Sequence, residues 1–170
     1  MGYEIMDGAV GFRIVEDPYF ALIVHYGDEV DLVGHRGFYG PDEGLVEVNV
    51  DPMTYEVREL VFTNVDNGYE YRDETINTSC DDEGSIRLNA DAETYCSLFD
   101  VTLYRDGLGI RLGNASIGAR LLHGSTIFSF GTDGALLAID VLGMTPEQVA
   151  HAKNVMDDDL ASRGEPIIIV

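Results

Sequence analysis

Tryptophan is absent from this chain, and lysine occurs once, at Lys153. The missing tryptophan removes a common platform for sugar rings. Positive charge is scarce: 10 basic residues stand against 31 acidic ones, a formal net charge of −21. Nucleic acid and anionic membrane are therefore poor partners, because both are polyanions that this surface repels. Cysteine is scarce too. Cys80 and Cys96 match neither a zinc knuckle nor a redox pair in spacing. A reducing cytosol keeps both as thiols, and a disulfide between them stays open for an exported protein. No apolar run approaches the roughly 20 residues that span a bilayer. Residues 1–7 carry no basic side chain and no long apolar core, unlike a secretory or transit peptide, so a cytoplasmic protein is expected.

Motifs of chemistry are missing as well. None of the four histidines, His25, His35, His123 and His151, stands in an H-x-x-x-H or H-E-x-x-H arrangement. There is no G-x-S-x-G elbow, P-loop or dinucleotide fingerprint. The acidic loops at 64–68 and 81–84 lack the glycine and glutamate spacing of a calcium loop. No catalytic residue, metal or cofactor is expected. His25 lies in an apolar run and reads as a satisfied core histidine. His35, beside Arg36, is the one histidine that stands as a candidate site residue.

What is present is ample. A chain of 170 residues, 45% apolar, buries enough surface to fold as one domain without a staple. The acid is unevenly placed. Net charge is −10 over residues 1–63, −8 over 64–100, 0 over 101–145 and −3 over 146–170. The neutral, apolar-rich segment 101–145 reads as the central part of a sheet. A basic complement that is almost all arginine fits a GC-rich genome or a salty cytoplasm. Salt adaptation coats every exposed face alike, whereas patchiness favours a specific surface.

The pattern along the chain is mostly strand. Residues 10–15 alternate loosely. Residues 19–26 form a continuous apolar run, expected as a strand buried on both faces, and 31–33 read as a short partner strand. Residues 34–44, with four glycines and Pro41, read as a loop. Residues 45–50 alternate cleanly with Glu47 and Asn49 facing out, and return through Asp51-Pro52 along 55–63 as a hairpin. Residues 64–97 are polar and irregular, with one short strand around Ile86 and Leu88. Strands then follow at 98–105, 108–112, 117–122, 126–130 and 135–141, joined by turns at Asp106-Gly107 and 131–134.

One helix is well specified at about 146–162. Thr145 is its N-cap, Pro146 sits at N1, and Gln148 completes a capping box. Val149, Ala152, Val155, Met156 and Leu160 form the core-facing stripe. Asp157, Asp158 and Asp159 fall in its second half, where the helix dipole disfavours anions, which suggests a role outside folding. A last buried strand is expected at 166–170. The fold class is thus α+β: a mainly antiparallel sheet of hairpins with one C-terminal helix packed on it. It forms a single acidic domain over 1–170. Similar strand–turn–strand patterns in 1–64 and 98–170, joined by the acidic irregular segment, leave a duplication open.

The cluster at 66–74 stands out. Tyrosine is enriched at interface hot spots, and surrounding acids would steer a basic partner. Asp66, Tyr69, Glu70, Tyr71, Asp73 and Glu74, with Asp81, Asp82 and Glu83, are the expected partner-binding residues. The competing reading is an edge strand with Tyr69 and Tyr71 on its covered face. A small-ligand or enzymatic pocket near 34–44 is the alternative function.

Two resemblances bear on this. Gly134, Leu136, Ile139 and Leu142 fill a G-x-L-x-x-I-x-x-L pattern, so the stretch 128–142 resembles the closing hairpin of a small, widespread bacterial domain. In overall profile the chain resembles immunity proteins of bacterial polymorphic toxin and contact-dependent inhibition systems, which are small, acidic, cytoplasmic and without catalytic motifs. That resemblance implies a toxin inhibitor, for example of a nuclease, that occludes a basic protein. It carries over no individual residue.

Overall fold

A computed structural model describes residues 2–28, 34–39, 44–65, 68–88, 94–96, 99–163 and 168–169. In chain order the elements are β1 (Tyr3–Asp7), β2 (Phe12–Val15), β3 (Leu22–Tyr26), β4 (Gly34–Tyr39), β5 (Leu45–Val50), β6 (Val57–Asn64), β7 (Glu70–Arg72), β8 (Asp82–Leu88) and β9 (Thr94–Tyr95). They continue with β10 (Asp100–Tyr104), β11 (Leu108–Arg111), β12 (Ile117–His123), β13 (Thr126–Gly131), β14 (Leu136–Val141), α1 (Pro146–Arg163) and β15 (Ile168–Ile169). The protein is α+β, with two mainly antiparallel sheets and one C-terminal helix among the described residues.

The larger sheet has nine strands in the order β1-β8-β12-β13-β14-β11-β10-β7-β15. The smaller has six, in the order β2-β3-β6-β5-β4-β9. The charge-neutral segment supplies β10 to β14, five consecutive places at the middle of the larger sheet, where charged side chains have least room. Leu22, Val24, Val48, Leu60 and Phe62 of the smaller sheet share one buried cluster with Ile86, Leu103, Ile110, Phe128, Phe130 and Ile139 of the larger. The helix adds Val149, Ala152, Met156 and Leu160 to the same cluster. Fully burying a side chain of this size contributes about 1.5–3 kcal/mol relative to leaving it in water.

Period-two alternation decides what faces this core. In β5, Val46, Val48 and Val50 are buried while Glu47 and Asn49 stand outward. The turn after it is held by Asp51, whose Oδ1 accepts the amides of Met53 at 2.8 Å and Thr54 at 3.1 Å. Those amides, the Met53 bond foremost, hold the Asp51 carboxyl below its usual range. Tyr55 closes the turn in the left-handed region at φ 62°, a strained place for a residue with a Cβ.

His123 ties the sheets together. Its Nδ1 accepts the Ile86 amide of β8 at 2.9 Å, and its Nε2–H donates to the Val57 carbonyl of β6 at 2.9 Å. Burial lowers its pKa to about 4, so the ring is neutral. The Tyr26 hydroxyl beside it bonds Thr126 across the sheets, and burial pushes that hydroxyl well above its ordinary pKa.

The helix begins as its sequence demands. Gln148 N–H donates to Thr145 Oγ1 at 3.2 Å, and Thr145 N–H donates to Gln148 Oε1 at 2.9 Å. Asp157 is drawn into the fold: it accepts from the Tyr69 hydroxyl and from Lys153 Nζ, the latter at 2.7 Å. These partners offset the unfavourable dipole, so Asp157 serves folding.

Three expectations are corrected. Residues 34–39 form β4, paired along the whole of β5, instead of a loop. The stretch 64–97 holds three strands, β7, β8 and β9, where one was expected. His25 is half-buried on the outer face of the smaller sheet, outside the core, because alternation along β3 turns it away from Val24 and Tyr26. The expected strand at 31–33 lies outside the described residues. Residues 168–169 do form a short strand, parallel to β7.

Candidate interaction surface

Between β7 and β8 the chain must travel from one side of the larger sheet to the other, because β7 lies beside β10 and β8 beside β12. Residues 73–81 make that passage as a strap across the sheet face turned away from the core. The strap starts on Arg105, whose amide donates to Glu74 O at 3.0 Å and whose Nη2 donates to Asp73 O at 3.1 Å. Ile76 then plugs in. Its amide donates to Asp106 Oδ1 at 2.9 Å, and its Cγ2 lies 2.8 Å from where a Cβ on Gly107 would stand, so that glycine leaves room for it. At the far end the Arg120 guanidinium donates to the Ser79 carbonyl and hydroxyl. Asp81 and Arg120 exchange bonds, amide to carbonyl and amide to carboxylate, each at 2.7 Å.

This passage separates the expected partner-binding residues into two groups. Glu70, Asp73 and Glu74 gather at the β7 end. There Glu70 and Glu74 pair with Arg72, and Asp73 pairs with Arg105 at 3.2 Å. Asp81, Asp82 and Glu83 stand exposed at the β8 end and make no ion pair among the described residues. Tyr69 leaves the surface: it is 2% exposed, and its hydroxyl is given to Asp157. Tyr71 is half-buried against the core. Tyr71 of β7 and Tyr69 just before it thus turn to the covered side, and Asp66 lies outside the described residues.

The structure adds residues that the sequence reading passed over. β1 is the outer strand of the larger sheet, antiparallel to β8, with Asp7 opposite Gly84. Its exposed Glu4, Met6 and Asp7 continue the acid of Asp82 and Glu83 along one edge. Beside this edge a cleft of about 650 Å³ opens between Tyr3 and Glu4, Arg87 and Leu88, and the turn bearing Met53 and Tyr55. Met53 is 86% exposed and Tyr55 49%. The strained backbone of Tyr55 is held by its amide bond to Asp51 O at 2.8 Å and by its carbonyl, which accepts the Leu88 amide at 2.9 Å. The signal was legible only as two large side chains in a proline turn.

On the smaller sheet a polar row crosses four strands in register. Arg13 Nη2 donates to His25 Nδ1 at 3.2 Å, His25 Nε2 lies 2.8 Å from Glu59 Oε2, and Asn49 Nδ2 donates to Glu59 Oε1 at 2.8 Å. His35 takes the next register position, opposite Asn49 in β4. The loop to which a pocket near 34–44 was attached is a strand as far as Tyr39, and residues 40–43 lie outside the described ones. Among the described residues, one cleft opens between the larger sheet's edge and the β5–β6 turn and another on the outer face of β10, β11 and β14.

Among the described residues no three His, Cys, Asp or Glu side chains are grouped to hold a metal ion. Cys80 and Cys96 are free, and burial raises the Cys96 thiol. No described helix is long and apolar enough to cross a membrane. Comparison with protein-family models finds no match for the chain, nor does comparison with curated proteins.

Proposed function

We propose that the protein is a cytoplasmic binding protein that occludes a basic protein partner, acting as an immunity-type inhibitor of a bacterial toxin such as a nuclease. One observation carries this reading. Glu4, Asp7, Asp82 and Glu83 lie along one edge of the larger sheet, exposed and without an ion pair among the described residues, with Arg87 opposite Glu4 in register, while Arg72 and Arg105 are bound to Glu70, Glu74 and Asp73. An exposed, net-acidic edge speeds encounter with a basic surface and holds its register. Met6, Met53 and Tyr55 beside it are the residue types that anchor interfaces once water is excluded. The molecule acts by binding and has no catalytic step of its own.

The test is capture of partners from lysate of the source organism on tagged protein, washed at low and at high salt. One stoichiometric basic partner, retained at low salt and lost at high salt, is the expected result. The double substitution Asp82→Lys, Glu83→Lys should then slow association about tenfold or more at low salt. Partner binding that ignores both salt and the double substitution would exclude this edge.

A further inference from the structure

A second feature of the larger sheet is independent of the partner-binding edge. Under the strap, the outward side chains of β10, β11 and β14 form two rows. One runs Thr102, Gly109, Asp140, and the other Asp100, Arg111, Ala138. The small Gly109 and Ala138 in these rows leave a cleft of about 400 Å³, walled by Ile76 and Asn77 of the strap and by Tyr104. Gly109 sets its depth. A Cβ there would stand 2.9 Å from Asp140 Oδ1 and 3.4 Å from Tyr104 Cε2, so carboxylate and ring border the same space.

The groups that remain free in this cleft are acceptors. Asp140 Oδ2 takes one long bond from Arg120 Nη2 at 3.4 Å, and Oδ1 takes none among the described residues. The Asp100 carboxylate and the hydroxyls of Thr102 and Tyr104 have no hydrogen-bond partner among the described residues either. Arg111 and Arg120 border the cleft as well, and Arg120 is ion-paired with Asp140 at 3.4 Å, but their shorter bonds go to other groups. Arg111 donates to the Gly113 carbonyl at 2.7 Å and to Ala115 O at 3.4 Å, and Arg120 holds the strap through Ser79 and Asn77. Burial holds the Asp140 carboxyl above its usual range, against the opposing pull of Arg120 and Arg111. A net charge of −21 concentrates cations and repels anions at the mouth.

We infer that this cleft is a binding site for an organic cation, an alkylammonium or guanidinium group, seated over Gly109 against Asp140. The charged head donates to Asp140 Oδ1 and to the Thr102 and Tyr104 hydroxyls, and the methylene stem lies along the Tyr104 ring and Ile76. The group comes either from a free small amine or from the end of a lysine or arginine side chain.

The experiment is an amide NMR titration with n-butylammonium and methylguanidinium chlorides, with n-butanol and sodium acetate as controls. Shifts confined to Thr102, Tyr104, Gly109 and Asp140, with the cations alone, are expected. Asp140→Asn should weaken binding about tenfold or more, the value of a charge-assisted bond. Gly109→Ala, which fills the seat, should weaken it as well and serves if Asp140→Asn fails to fold. Equal binding of butanol, competition by acetate, or an unchanged Asp140→Asn variant overturns the site. A blocked tripeptide with a central lysine separates the sources. Tighter binding than butylammonium marks a protein side chain, and weaker binding marks a free amine. The variant carrying Asp82→Lys and Glu83→Lys together, which leaves the Asp81–Arg120 clasp of the strap in place, should keep the cation site, so loss of partner and loss of cation are separate results.

Discussion

At the scale of single residues, His123 carries the clearest consequence. The folded protein holds it neutral with a pKa of about 4, while an unfolded chain titrates it near 6.5. Between those values the unfolded state binds the extra proton. Stability from this group is therefore complete above about pH 6.5, is lost as pH falls towards 4, and amounts to about 3 kcal/mol. Urea unfolding of the wild type and His123→Gln from pH 7.5 to pH 4.5 checks it: the wild-type advantage should shrink with acidification, and a constant difference refutes the assignment. Tyr69→Phe should cost about 1–2 kcal/mol by removing the bond to Asp157, with partner binding unchanged because the ring lies inside. Sequence reading placed a core histidine at His25 and gave His123 no role, for a physical reason. His25 has apolar neighbours in the chain, but period two sends it to the opposite face from Val24 and Tyr26. His123 sits before Gly124 at a strand end, where no run of apolar residues announces burial.

At the scale of elements, legibility followed the strength of local signals. The helix was readable to its cap because Thr145 and Gln148 satisfy each other's amides without help from the rest of the fold. Thr145→Ala should cost about 1 kcal/mol and lower the melting temperature by about 2–4 °C, followed by circular dichroism. β4 was misread because its glycines weaken local strand preference, and only pairing with the whole of β5 makes it a strand. β1 was passed over because Glu4, Met6 and Asp7 face water on an outer strand, so its alternation is thin. The acidic surface was half legible: Asp81 to Glu83 were in view from composition, whereas Tyr69 was lost to the helix through a contact 88 residues away in sequence. For the strap, Ile76→Ala should remove about 2 kcal/mol of packing. Amide exchange at Asp81 and Arg120 should then quicken while the helix stays protected.

At the scale of the whole molecule, the charge of −21 opposes compaction, and it is concentrated around a neutral centre made of β10 to β14. Added sodium chloride should raise the melting temperature by screening that repulsion, with most of the gain below about 0.5 M. Full stability without salt would argue that the acid exists for a partner, and a collapse of structure at low salt would mark adaptation to a saline cytoplasm. The pairing of β1 with β8 reaches further, into synthesis. Tyr3 finds its place opposite Leu88. At ribosomal speeds of about 5–20 residues per second, β1 waits roughly 4–17 s for its partner strand to be made. Through that interval Glu4 and Asp7 keep an unpaired segment from joining other nascent chains, since two copies laid edge to edge would set acid against acid. The acid on this outer strand thus also protects the chain on the ribosome.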